Sequence, residues 1–412
     1  MKVLQINVTC NWGSTGRIAE EIGLLTISEG GQSYIAYGRH KNKSKSYTIK
    51  IGNLIDVYFH AFLTRVFDKH GLGSKRATKT FIRHIKSINP DIIHIHNIHG
   101  YFINYSILFS YLAEINIPIV WTLHDCWSYT GHCAYYSFCK CNKWEIECNN
   151  CAQMKNYPSS LFSDRSRENF FNKKKYFTLV HNMTIVTVSK WLANEVSKSF
   201  LNKYPIKTIY NGIDTTVFVP KNEVEKKNTT KNKFIILGVA NIWEERKGLK
   251  DFLHLRTLLP SSYSIILIGL TQLQVKQLPE GIIGIQRTNN IDELVDFYNL
   301  ADVYINFSVE ETFGMTTCES MACGTPVIVY NSTACPEIVT KETGYVVEPG
   351  DFRSVIECIK LIQENGKEKY QYACRQRVIK YYNKEDKYKE YLYLYNQLLN
   401  SKNENISNNN NL

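Results

Sequence analysis

Two carboxylates eight positions apart, Glu311 and Glu319, flank the run Thr312-Phe313-Gly314-Met315, and Gly324-Thr325-Pro326-Val327 follows. Upstream, Ala301–Phe307 has the apolar run of a buried strand, so the string reads as strand, glycine turn and helix opening at Gly314. Backbone N–H groups and the helix dipole converge at such a turn and make a seat for phosphate. The glutamates would repel phosphate and suit hydroxyls instead, such as those of a ribose and a hexose. Phosphate and sugar recognition together point to a nucleotide-sugar enzyme. Taken singly, Glu311 reads as a capping carboxylate and Glu319 as a solvated helix residue; the whole string favours the functional reading.

A second group of reactive side chains lies in the first half. Ile117–His124 reads as a buried strand, and it sets His124-Asp125 at its carboxyl end, the edge where open parallel sheets bind ligands. His94 and His96 alternate along another strand, and His99 lies in the turn that follows; such a set seldom converges on a metal, so they are read as lining a cleft. Asn11-Trp12-Gly13-Ser14-Thr15-Gly16-Arg17 follows the first strand and opens the first helix. Its spacing is not that of a dinucleotide fingerprint, and no acidic residue ends the next strand.

The elements that must hold these groups alternate. Lys2–Val8, Ser33–Tyr37, Asp91–His96, Ile117–His124, Thr184–Ser189 and Ile206–Tyr210 read as short buried strands separated by helical patterns. A second block has strands at Phe234–Gly238, Ser264–Gly269, Gly281–Ile285, Val303–Phe307 and Val327–Tyr330. Strand–helix alternation implies parallel sheets covered on both faces. A chain of 412 residues is too long for one ordinary core. The expected organisation is therefore α/β, with two Rossmann-like domains at 1–214 and 215–383. A last helix at 384–400 packs back on the first domain, and the Asn-rich tail 401–412 is disordered.

The segment around Glu311 and Glu319 resembles the donor site of the retaining glycosyltransferases of family four. The likeness runs from the first strand and its glycine loop, through His124-Asp125 and Tyr210-Asn211-Gly212-Ile213-Asp214, to the second half. It is closest to the subgroup that builds bacterial capsular and other surface polysaccharides. The resemblance implies a GT-B fold, with parallel sheets facing an interdomain cleft, and transfer of a glycosyl group from a nucleotide-diphosphate sugar to a glycan hydroxyl with retained configuration. The acceptor it implies is linked to a polyprenyl diphosphate.

It also implies residue roles. Glu319 holds the ribose hydroxyls, Glu311 meets the transferred sugar, and Lys247 of Lys247-Gly248 gives the diphosphate a cation in place of a metal. His124 polarises the sugar, while Asp125 fixes the imidazole or the following turn. The family often carries an arginine where this chain has Ile242, and Arg246 is the substitute. Phe313, Gly314 and Met315 form the helix mouth, and Gln286-Arg287-Thr288 lies at the level of the base-contacting loop. Arg287 reads equally as a second phosphate contact or a surface charge. Gly13, Gly16 and Arg17 face the donor phosphates and the acceptor. No cofactor is required for catalysis, and no covalent nucleophile stands out.

Of the 12 cysteines, six fall between Cys126 and Cys151. Cys133, Cys141, Cys148 and Cys151, with Cys139 as an alternative to Cys141, suit a structural zinc, because a cytoplasmic chain rarely keeps disulfides; the other reading is a reduced thiol-rich loop. The formal charge of +11 comes with no nucleic-acid motif, so nucleic acid is not an expected partner. Leu54–Asp68 carries a wide apolar stripe flanked by Arg65, Lys69, Lys75 and Arg76. It reads either as a peripheral contact with the inner face of the membrane or as a core-facing helix. No apolar run reaches the roughly 18–20 residues that cross a bilayer. The start reads as a strand rather than a secretion signal, so a cytoplasmic enzyme is expected. A non-catalytic nucleotide-sugar or carbohydrate sensor on the same fold is the alternative.

Overall fold

The computed structural model of the chain describes residues 1–221 and 232–409, with side chains as far as residue 402. The polar, charged stretch 215–233 at the start of the second expected domain therefore lies partly outside the described residues, as does the end of the tail from 410. The chain forms two compact units, Met1–Tyr210 with Lys387 onward, and Asn211–Asp386.

The first unit is built on seven strands: β1 (Lys2–Asn7), β2 (Gln32–Tyr37), β3 (Tyr47–Lys50), β4 (Ile92–Ile95), β5 (Ile119–Leu123), β6 (Met183–Thr187) and β7 (Ile206–Thr208). They pair in the order β3-β2-β1-β4-β5-β6-β7, every neighbour parallel. Central strands β4, β5 and β6 are buried at every residue. This is why they read as continuous apolar runs rather than alternating ones. The second unit has six: β8 (Phe234–Val239), β9 (Tyr263–Ile268), β10 (Ile282–Ile285), β11 (Val303–Asn306), β12 (Val327–Tyr330) and β13 (Gly344–Val347), in the parallel order β10-β9-β8-β11-β12-β13. In both sheets the order reverses beside the first strand of the unit, the arrangement of a doubly wound sheet.

β3 and β13 had no counterpart in the sequence reading. Both are edge strands of four residues with mixed burial, so neither carries a buried apolar run.

The helix Lys384–Asn409 begins in the second unit and then packs into the first. Tyr388, Tyr391, Leu392, Leu394 and Tyr395 share one core with Val3, Ile18, Ile92, Val120 and Val186. The helix extends to Asn409, past position 401 where the tail was expected to begin. The first four residues of the second unit, Asn211–Asp214, are tied to the start of the same helix. Ile213 N–H donates to Tyr382 O (2.7 Å), Lys384 N–H donates to Ile213 O (3.0 Å), and Lys384 Nζ pairs with Asp214 (2.8 Å).

Candidate active site

In the second unit, β8 leads into a short 3-10 turn, Glu245–Lys247, and then Gly248 opens the helix Leu249–Leu258. Gly248 has φ +75°, and a Cβ there would sit 2.5 Å from the Phe307 carbonyl oxygen, so only glycine lets this turn close on the end of β11. That approach brings Lys247 to Glu311, and the ammonium and carboxylate are ion-paired. Ser308 Oγ also donates to Glu311 Oε1 (3.1 Å). The Glu311 backbone is held at both ends: its N–H donates to Thr333 Oγ1 (2.8 Å) and its carbonyl accepts from Ala334 N–H (3.2 Å). Burial alone would raise the Glu311 carboxyl; Lys247 and Arg246, with the hydrogen bonds from Lys247 and Ser308, hold it below the ordinary value instead.

Arg246, the expected substitute for a cation at position 242, pairs with Glu244 (3.0 Å) and donates Nη1–H to Glu310 O (3.0 Å). It braces the loop that carries Glu311. Ile242 is exposed.

The helix Met315–Ala322 starts at Gly314, φ +103°, which offers no side-chain cap to the first-turn amides. Phe313 is buried behind this mouth, with its ring 5.6 Å from that of Tyr382, while Met315 is half-exposed. One turn into the helix, Glu319 accepts a hydrogen bond from the Tyr298 hydroxyl (2.8 Å). Tyr298 is fully buried, and burial and the Glu319 charge both push its phenol well above the usual value, so it donates to the carboxylate. Tyr298 was not singled out in the sequence, since a buried tyrosine on Ile291–Leu300 carries no motif of its own. The structure thus gathers Lys247, Glu311, Gly314 and Arg246 at the end of β11, with Glu319 along the helix. Arg287 and Thr288 follow β10, Arg287 exposed and Thr288 half-buried, and neither joins that cluster in any described contact.

In the first unit, Gly13 begins the helix Gly13–Ser28 with φ +67° after an exposed Trp12 that supplies no side-chain cap. Gly16 is buried against Thr9, and Arg17 is exposed. His124 follows β5, and its Nε2 lies 3.2 Å from Nδ1 of His96. Burial lowers His124 to about 4, with Asp125 opposing, so the ring is neutral at physiological pH. Of the two roles expected of Asp125, the structure shows the hold on the following turn. Its Oδ2 is 2.7 Å from His99 Nε2, and its Oδ1 accepts the Trp127 N–H (3.0 Å), so it fixes His99 and the following turn. Of the histidines expected to line a cleft, His96 and His99 line a small pocket with His124, although His96 is buried against Gln5 Oε1 (3.0 Å); His94 does not, being buried between Thr122 Oγ1 (2.7 Å) and Tyr395 OH (2.6 Å).

The cysteine loop is only partly gathered. A hydrogen bond joins the Cys133 and Cys151 thiols, and Cys148 takes the Gly131 N–H at 3.2 Å. Among the described residues, no group of three or more His, Cys, Asp or Glu is placed to hold a metal ion. Close to the loop, Lys173 Nζ is buried against the Trp127 ring (3.7 Å to the centroid) and donates to the carbonyls of Trp127 (2.6 Å) and Thr130 (3.0 Å).

Two doubly wound units, the second carrying a glycine-capped helix flanked by paired charges, define a glycosyltransferase of the GT-B fold. The chain is a glycosyltransferase: residues 30–217 match the model described as Glycosyltransferase Family 4, and residues 233–365 match Glycosyl transferases group 1. It is 23% identical over 386 residues to the putative colanic acid biosynthesis glycosyl transferase WcaC of Escherichia coli, covering 87% of this chain and 90% of that one. Among solved structures it is similar to sucrose-phosphate synthase from Thermosynechococcus elongatus (TM-score 0.72, 15% identity, 97% of this chain and 99% of that chain). It is also similar to Anabaena HepE in complex with UDP and glucose (TM-score 0.66, 13% identity, 96% and 99%).

Proposed function

We propose that the protein transfers a sugar from a nucleoside-diphosphate sugar to a hydroxyl of a glycan acceptor, with retention, in the synthesis of a bacterial surface polysaccharide. The observation that carries this reading is the Lys247–Glu311 ion pair at the mouth of the Gly314 helix, with Glu319 fixed one turn further in. The donor diphosphate takes the first-turn amides and the Lys247 ammonium. Glu311, released from its lysine, accepts hydrogen bonds from the transferred sugar, and the Glu319 carboxylate accepts them from the ribose. A cation fixed beside the leaving diphosphate stabilises the charge that develops there as the glycosidic bond breaks. On the first unit, neutral His124 polarises the sugar, and Gly13, Gly16 and Arg17 meet the phosphates and the acceptor.

In this reading the acceptor hydroxyl oxygen bonds the anomeric carbon on the face from which the diphosphate departs, the carbon–oxygen bond to the diphosphate breaks, and a diphosphate oxygen takes the hydroxyl proton. The names of the relatives support it: WcaC is described for colanic acid synthesis, and HepE is described with UDP and with glucose. The acceptor is lipid-linked and is met at the cytoplasmic side of the membrane. Thermal stabilisation by a panel of nucleoside-diphosphate sugars, followed by product analysis, tests the reading. One stabilising sugar that is transferred with retained configuration supports it; no stabilisation by any member, or donor binding without transfer to any acceptor, overturns it.

A further inference from the structure

The helix Leu54–Phe67 is folded inside out. Of its fourteen residues, only His60 and Thr64 are buried. The large apolar side chains face outward, with Ile55 78%, Tyr58 72% and Phe59 57% exposed, together with Leu54, Phe62 and Phe67. The sequence had left this stripe open between a core-facing helix and a membrane contact, and the burial removes the first.

The inversion is held by specific bonds. His60 Nε2 accepts the N–H groups of Gly71 (3.0 Å) and Gly73 (3.3 Å), so its Nδ1–H donates to Ser74 Oγ (2.9 Å). Thr64 Oγ1 donates to the His60 carbonyl (3.0 Å). At one end Asn53 and Asp56 form a capping box; at the other, Asp68 binds His132 Nδ1 (2.7 Å) and the Arg165 N–H (2.8 Å). The helix therefore cannot roll to bury its phenylalanines without breaking this polar seat. A second element extends the patch. Leu161 is 62% and Phe162 80% exposed, and their loop is tied to the helix end by Leu161 N–H to Arg65 O (2.7 Å) and Ser163 Oγ to Val66 O (2.9 Å).

We infer that this face docks on an anionic lipid bilayer. Contiguous exposed aromatic and aliphatic side chains on two separately anchored elements mark an interaction surface rather than scattered exposure. The charges around it choose the partner. Lys69 Nζ stands 5.7 Å from the Phe67 ring, Arg65 lies in the last turn, and Lys75 and Arg76 are exposed at the start of the next helix, which the His60–Ser74 bond ties to this one. The carboxylates on these elements are engaged: Asp56 in the cap, Asp68 with His132, Asp164 with the Cys151 N–H (2.7 Å). The outward border is thus cationic. A second copy of the chain docked face to face would set these cations against their own images, whereas anionic headgroups pair with them while the rings enter the acyl boundary. At fourteen residues the helix lies on a bilayer and does not span it, and no described helix is long and apolar enough to cross one. That docking would present a lipid-linked acceptor rests on the proposed function; the docking itself does not.

Flotation of the full chain with vesicles of phosphatidylcholine, with and without phosphatidylglycerol, tests the inference without measuring activity. The expected result is binding to the phosphatidylglycerol vesicles that weakens as salt is raised and falls at least about tenfold in Phe59→Glu/Phe62→Glu. Phe162→Ser and Arg65→Glu, which alter the loop tip and a surface cation, should each weaken it severalfold while the thermal melt is unchanged; they carry the test if the double variant does not fold. Three results overturn the inference: no binding to either vesicle, binding unaffected by all of these variants, or a dimer in solution that Phe59→Glu/Phe62→Glu dissociates. A protein without transferase activity that still floats would sink the proposed function and leave the docking standing.

Discussion

Lys247 and Glu311, 64 positions apart in the chain, neutralise one another at the mouth of the Gly314 helix. The sequence had assigned them separate tasks, a cation for the diphosphate and an acceptor for sugar hydroxyls. On the proposed function, a donor must part them, and each keeps the other oriented until it does. Such a donor would replace an existing charge contact instead of entering an empty one. In a partly buried setting, removing one member leaves the other uncompensated.

Lys247→Ala and Glu311→Ala should each lower donor affinity at least about tenfold, or roughly 1.4 kcal/mol. The double variant should lose less than the sum, because the two residues interact directly. Calorimetric titration of wild type, single and double variants with the stabilising nucleotide sugar gives the cycle. Strict additivity would show that the pair is not coupled in donor binding. Transfer rates should fall more than affinity for Lys247→Ala, since the leaving-group charge is greatest in the transition state.

Tyr298→Phe removes the hydroxyl that fixes Glu319 and leaves the buried ring in place. One hydrogen bond to a charged group is worth about 1.5–3 kcal/mol. Part of this is recovered as Glu319 rebinds solvent, so free-nucleotide affinity should drop roughly three- to tenfold, with the thermal melt shifted by only a few degrees. Glu319→Gln should lose affinity to a similar degree, and adding Tyr298→Phe to it should cost little more. A further full loss in the double variant would separate the tyrosine from the carboxylate.

Acid should destabilise the first unit well before its carboxylates titrate. Burial lowers His60 to about 3 and His124 to about 4, both from an ordinary 6.5. The unfolded chain takes up these protons below pH 6.5 while the folded one does not, so their contribution is intact above that pH and declines as pH falls toward 4 and then 3. Each neutral histidine adds a slope of about 1.4 kcal/mol per pH unit within its window. Urea melts from pH 7 to pH 4 should show this slope, and His60→Asn, though less stable at pH 7, should show it reduced by one proton. An unchanged slope would mean that His60 is protonated in the folded chain.

How much of this was legible depended on what each residue must do locally. Central strands such as β5 and β6 are buried on both faces and declare themselves as apolar runs, whereas β3 and β13 sit at edges with mixed exposure and do not. The glycine turns at 248 and 314 were legible because a backbone conformation and a close approach demand glycine there. Long-range partners were not legible: Asp125 was expected to fix the His124 imidazole or the following turn, and it holds that turn, but its contact with His99, 26 positions away, carries no local signal. Nor could the stripe at Leu54–Phe67 be assigned a direction, since an apolar periodicity states that one face differs from the other and not which of them the core receives. His60, a single polar residue bonded to three backbone or hydroxyl groups, decides it.

The last helix gives the sharpest test of the architecture, because the first unit lacks part of its core without it. Tyr391 and Tyr395 are fully buried; Tyr391 OH contacts Thr122 Oγ1 (3.2 Å) and Tyr395 OH contacts His94 Nδ1 (2.6 Å) on neighbouring strands. Truncation after Asp386 would expose the cluster around Val3, Ile92, Val120 and Val186 and take from His94 Nδ1 its tyrosine partner. The shortened chain should be insoluble or molten, with near-UV signal lost. Tyr391→Ala should cost roughly 3–5 kcal/mol, as a cavity beside well-packed strands does, and Tyr395→Phe about 1 kcal/mol for the stranded imidazole. Ending the chain after Asn400 removes no residue of that cluster and should leave the melt within a degree or two. A truncation after Asp386 that still melts cooperatively near the full-length temperature would show that the helix is an accessory and that the first unit closes its core alone.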